Sequence, residues 1–131
     1  MGKSKRFRRT FLLGTIIFFI AIIVFALATT FYIELRVQRT CKIATERYSG
    51  EKIQALITMV KDESGCSKQK ARALWTLGQL GDKRALPFLR ENYGDKTEDN
   101  LCIYEAQYAI LKIEEKRFNL PGFLWRRLLD N

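Results

Sequence analysis

At 131 residues the chain has room for one compact domain beside an apolar N-terminal run. It has no histidine, which excludes Ser/His/Asp and Cys/His catalytic sets, and three cysteines without CxxC spacing, which argue against a zinc site. The formal charge of +9 overstates the basicity of the main body: five basic residues fall in the first ten, and beyond Ile33 the surplus is only four.

Lys3, Lys5, Arg6, Arg8 and Arg9 form a basic flank over residues 1–10. Phe11 to Ile33 then come as 23 consecutive uncharged residues, softened only by Gly14, Thr15, Thr29, Thr30 and Tyr32. As a helix this run spans roughly 34 Å, enough for a hydrocarbon core of about 30 Å. It lacks the polar face that a soluble core helix keeps. The run predicts a single-pass transmembrane helix over Phe11–Ile33, acting as a signal-anchor, with Tyr32 as an interfacial aromatic. The alternative is a secretory signal cleaved after Ala28, but the run exceeds the roughly 7–15 residues of a signal core. In either case residues 34–131 lie on one side of the membrane. Five basic residues precede the run, and Arg36, Arg39, Lys42 and Arg47 come after it. That bias points to a cytoplasmic N-terminus and an extracytoplasmic domain at the cell (inner) membrane.

The remainder reads as consecutive helices. Glu34 to about Tyr48 continues the membrane helix or bends just after it, and Ser49-Gly50 breaks it. A helix from Glu51 to Lys61 sets Ile53, Leu56, Ile57 and Val60 on one face. Ser67 N-caps a helix to Leu80 that carries Ala73, Leu74, Leu77 and Leu80 inward. Gly81-Asp82 makes the tightest turn, glycine taking the left-handed position and aspartate capping the next helix. That helix covers Lys83 to Tyr93, with Pro87 tolerated near its first turn. After a polar loop from Asp95 to Asn100, a helix to about Glu115 carries Cys102, Ile103, Ala106, Ala109, Ile110 and Ile113 on an apolar stripe. Asn119-Leu120-Pro121-Gly122 precedes a short segment, Phe123 to Leu129, rich in apolar residues and arginine. It is read as a cap on the last helix in preference to an interfacial segment on the lipid. In an exported domain one pair among Cys41, Cys66 and Cys102 can form a disulfide. The favoured reading is three small buried apolar residues.

A slide of 33 residues places Thr76-Leu77 on Ala109-Ile110, Leu80 on Ile113, and Ile53 and Leu56 on Leu86 and Leu89. Each unit is then a pair of antiparallel helices. Ala71 to Leu89, ARALWTLGQLGDKRALPFL, resembles the short bacterial HEAT repeats of the phycobilisome-lyase-like family. Its matching positions are Leu77, Gly78, Leu80, Gly81, Asp82, Arg84, Ala85, Leu86, Pro87 and Leu89. Tyr104 to Ile113 matches moderately, with Leu111 in place of glycine and Glu115 in place of aspartate, and Arg36 to Tyr48 is a degenerate first helix. The resemblance implies an all-α fold: a transmembrane helix followed by a short α-α superhelical repeat domain over 34–131, best defined at 67–93. It implies a turn at Gly78, Gly81 and Asp82. The core it implies comprises Leu74, Leu77, Leu80, Leu86, Leu89, Ala106, Ala109, Ile110 and Ile113.

Such repeats are stacked interaction surfaces. The expected function is that of a non-catalytic, membrane-anchored adaptor or scaffold that binds a protein partner near the bilayer, or a second copy. No catalytic residue, cofactor, metal, nucleic acid or small-molecule substrate is expected. Lyase activity does not carry over, because the chain is too short to enclose a tetrapyrrole. Two alternatives differ in the surface they use: a structural subunit acting through its transmembrane helix, and a secreted binding protein left after signal cleavage. The chain is expected to resist carbonate and high-salt extraction from membranes; N-terminal sequencing that begins at Thr29 refutes the anchor.

Overall fold

A computed structural model describes residues 2–97 and 100–115, and every regular element among them is a helix. They run in the order α1 (Gly2–Arg47), α2 (Lys52–Asp62), α3 (Lys68–Leu80), a 3-10 turn (Lys83–Ala85), α4 (Leu86–Tyr93) and α5 (Leu101–Glu114). The described residues divide into two compact units after Glu34. The segment from Phe118 to Leu129, expected as a cap, lies outside the described residues.

In the first unit the apolar side chains of α1 are exposed, among them Phe11, Ile17, Phe18 and Phe25. By length and composition α1 is the one helix among the described residues able to cross a membrane. Its hydroxyls are satisfied within the helix: Thr15 donates to the carbonyls of Phe11 and Leu12, Thr29 to Ala26 and Thr30 to Leu27. A threonine bonded one turn back presents only its methyl group outward, which suits an apolar solvent.

The second unit is built on the 33-residue period. The α1 residues from Leu35 to Arg47, α3, and α5 begin 33 residues apart and bury equivalent positions. Thr40, Ala73 and Ala106 share one register position, and all three are buried. Side chains that are 33 apart also bond directly. Arg84 donates to Glu51 at 2.8 Å, and Lys112 donates to Gln79. In stacked repeats equivalent positions lie side by side, so these bonds mark the stacking. The segment after the apolar run is therefore a full first helix, with Val37, Thr40, Cys41 and Ala44 buried. It meets α2 through a hydrogen bond from the Tyr48 hydroxyl to Asp62 and an ion pair between Arg47 and Glu63.

Helix ends reflect local chemistry. Ser67 accepts from the Lys70 N–H at 3.0 Å and Asn100 from the Cys102 N–H at 2.9 Å, so both cap the helices they precede. The expected single helix from Lys83 to Tyr93 is instead a 3-10 turn followed by α4. Ala85 donates to the Asp82 carbonyl at 3.1 Å, and Leu86 donates to that of Lys83. Pro87 has no N–H with which to make the α-type bond to Lys83, so the tighter turn prevails until α4 is established.

Cys66, just before α3, and Cys102, in the first turn of α5, form a disulfide with their Cα atoms 5.8 Å apart. This corrects the reading of all three cysteines as apolar filler; Cys41 alone remains a buried thiol. The bond closes a loop of 36 residues around the best-defined repeat.

Two measurements on the full chain in maltoside micelles test this packing. In urea, Leu77→Ala and Leu89→Ala should each cost about 2–5 kcal/mol, because both side chains are fully buried. Asp82→Ala should cost about 1 kcal/mol through the lost cap. Lys96→Ala, which loses only an exposed contact over the Tyr93 ring, should stay within about 1 kcal/mol. A leucine variant no less stable than the lysine variant refutes the paired-helix core. In the second measurement, unfolded but unreduced protein should present one reactive thiol and reduced protein all three. Reduction should lower stability by about 4 kcal/mol on a chain-entropy basis.

Candidate functional site

The repeat turn is the most constrained part of the second unit. Gly81 adopts φ 65°, and its N–H closes α3 on the Leu77 carbonyl at 3.2 Å. A side chain there would be strained by the left-handed backbone. Asp82 then accepts from the Arg84 N–H and also binds its guanidinium, which reaches on to Glu51. Hydrogen bonding from Arg84 holds the Asp82 carboxyl below the usual range, and the same pairing pushes the arginine up. These groups are largely exposed, so they add register more than stability.

Gly78 sets how closely two helices meet. A Cβ built there would lie 2.9 Å from both the Cα and the Cβ of Ala109, so only glycine fits against α5. Around that contact Leu74, Leu77, Ala106, Ala109 and Ile113 are buried, as is Leu89 of α4. Leu80, Leu86 and Ile110 are half-buried.

Among the described residues the far side of α5 is open. Leu101, Tyr104, Tyr108 and Leu111 are 56%, 67%, 45% and 55% exposed and succeed one another at spacings of three, four and three residues. This forms a single apolar and aromatic stripe. The equivalent positions on α3 are Lys68, Ala71, Trp75 and Gly78. There Ala71 and Gly78 are buried, with Gly78 under α5. The stripe is thus the surface onto which one more helix of the stack would pack. Beside it, a groove of about 560 Å³ runs between α4 and α5, lined by Arg90, Gly94, Asp95, Gln107, Ile110 and Leu111. Arg90 pairs with Glu114 beside that groove. Reading α5 by its inward stripe alone missed this second face, although the 3-4-3 spacing was there to find.

A second, smaller pocket of about 240 Å³ lies where the first helix of the stack meets α3 and α5, lined by Arg36, Ala71, Arg72, Trp75 and Glu105. Burial pushes the Glu105 carboxyl up. Among the described residues no three metal-ligating side chains gather.

Residues 69–95 match the family model of the PBS lyase HEAT-like repeat. No curated protein and no solved structure matches the chain. The matched span holds the Gly78 contact, the Gly81-Asp82 turn and the whole of α4, so the likeness to a PBS lyase HEAT-like repeat falls on the segment whose packing is most constrained.

Proposed function

We propose that this chain is a membrane-anchored, non-catalytic adaptor whose HEAT-like repeats bind a partner protein beside the bilayer. The observation that carries the reading is the open stripe Leu101, Tyr104, Tyr108 and Leu111 on the last described helix of the stack. Four large apolar side chains on one face, exposed among the described residues, favour a helix of another protein, because the equivalents of Tyr104 and Leu111 on α3, Ala71 and Gly78, are buried and Gly78 lies under α5. Tyrosine suits such a surface, being large, rigid and amphipathic. Anchoring rests on the 23-residue apolar run and its basic flank. Extracytoplasmic placement draws support from the Cys66–Cys102 disulfide, since such bonds persist in oxidising compartments.

The test places a photo-crosslinking residue at Tyr104 in membranes of the native host. One discrete product is expected, retained when residues 11–33 are exchanged for an unrelated apolar span and lost in a Tyr108→Glu, Leu111→Glu variant. A product lost on exchanging the span, or one indifferent to the two glutamates, overturns the adaptor reading in favour of a subunit held by its transmembrane helix. A C-terminal reporter active only in the cytoplasm overturns the exported placement.

A further inference from the structure

The outward stripe of α5 is Leu101, Tyr104, Tyr108 and Leu111, and it is the same from either end in residue type and in spacing. An antiparallel pair of identical helices requires that symmetry. About a two-fold axis at the height of Ala106, Leu101 of one copy meets Leu111 of the other and Tyr104 meets Tyr108. Each large side chain then has its like opposite it. Spacing of three, four and three residues is also that of a coiled-coil seam, which keeps such layers in register over the roughly 15 Å from Leu101 to Leu111. We propose that a second copy of this chain covers the stripe, α5 against α5 in antiparallel, whenever no other helix occupies it. The pairing presupposes that the stripe is a docking face, as in the proposed function, and makes the second copy a competitor that a partner helix must displace.

Charge favours this two-fold pair over a head-to-tail stack of copies. None of the four stripe side chains is charged at neutral pH, so pairing sets no like charges of the stripe against each other. The other end of the stack differs: on the first helix Arg39, Lys42 and Glu46 are exposed around Ile43. Seating those charges on an apolar stripe strips their water and returns no partner. Area then sets the strength. The four exposed side chains offer on the order of 400 Å² a copy, half of the roughly 800 Å² a side in a standard interface. Free in solution such a pair is weak, which leaves it displaceable. Confining two anchored copies to one bilayer raises their effective concentration and populates it. Tyrosine serves both states, because its ring packs within a layer while its hydroxyl stays at the wet edge.

The experiment uses the full chain in maltoside micelles, with a donor dye on one population and an acceptor dye on the other. Energy transfer should rise as the protein-to-detergent ratio rises. Tyr104→Lys alone and Tyr108→Glu alone should each weaken pairing about tenfold, and urea unfolding should show both variants folded. Mixing the two variants should restore pairing to within about threefold, because in the antiparallel register the introduced lysine faces the introduced glutamate while the other layer stays Tyr against Tyr. In a parallel register each introduced charge faces a tyrosine, so a mixture no stronger than its parts overturns the arrangement. Transfer indifferent to both substitutions belongs to the apolar run and overturns pairing through α5. Transfer absent from the full chain, yet present once residues 118–131 are removed, gives the stripe to the chain's own tail and overturns the proposal, as does transfer absent from both. The adaptor reading is decided separately by the crosslink at Tyr104 in host membranes. A product of twice the chain's own mass there is the self-pair, and a product of any other mass is the partner.

Discussion

Backbone-to-backbone proximity at Gly78 governs the arrangement of the second unit. With no side chain at that position, α3 and α5 come together until Ala109 fills the space a Cβ would take. Glycine inside a helix costs roughly 1 kcal/mol relative to alanine, so its presence needs a compensating contact. Here the compensation is the whole α3–α5 interface. Bringing the two axes close aligns equivalent rows, lets Lys112 reach Gln79, and brings Cys102 within bonding distance of Cys66. A methyl group at Gly78 would force the helices apart along the line on which all three depend.

Stacking also explains why the two ends of the array matter more than its middle. The interior helix α3 packs against α2 and α5 and buries Ala71, Ala73, Leu74, Thr76, Leu77 and Gly78. Even its threonine is satisfied, with the Thr76 hydroxyl bonded to the Arg72 carbonyl at 2.8 Å. At one end the first helix buries smaller side chains, Cys41 and Ala44, where α3 has Leu74 and Leu77. It recovers stability from continuity: α1 is unbroken from Gly2 to Arg47, and its sequence has neither glycine nor proline between Gly14 and Gly50. A helix already nucleated by the apolar run extends at little further entropic cost. At the other end α5 starts a new helix at Leu101, and among the described residues its outward face is left uncovered.

The parts legible in the sequence were those set by local chemistry. Gly81-Asp82 could be read because a left-handed glycine followed by a capping aspartate needs no distant partner, and α3 could be read because Ser67 starts it. The period could be read because stacking repeats its demand every 33 residues. The features that escaped depended on neighbours. Leu80, Leu86 and Ile110 occupy apolar positions of the repeat yet are half-buried, since a period marks a position without saying whether a neighbour covers it. The Cys66–Cys102 pair is 36 residues apart, off the period, and becomes visible only when the starts of α3 and α5 are side by side. The outward stripe of α5 escaped for the opposite reason. A helix with apolar residues on two faces reads as a helix with one good face and some surface noise.

The stripe of α5, exposed among the described residues, bears on how a short array can be specific. An apolar stripe alone would accept many helices, because hydrophobic burial is roughly proportional to area and non-directional. An ion pair at its edge, such as Arg90 with Glu114, adds charge and the planar geometry of a guanidinium, a discrimination that salt weakens and apolar contact does not. Divided in this way, the stripe offers area and the ion pair beside it offers direction. The outward positions of α5 are separate from the Gly78 contact and the Gly81-Asp82 turn, so substitution at Tyr104 or Tyr108 alters the stripe while the packing of α3 on α5 stays as it is.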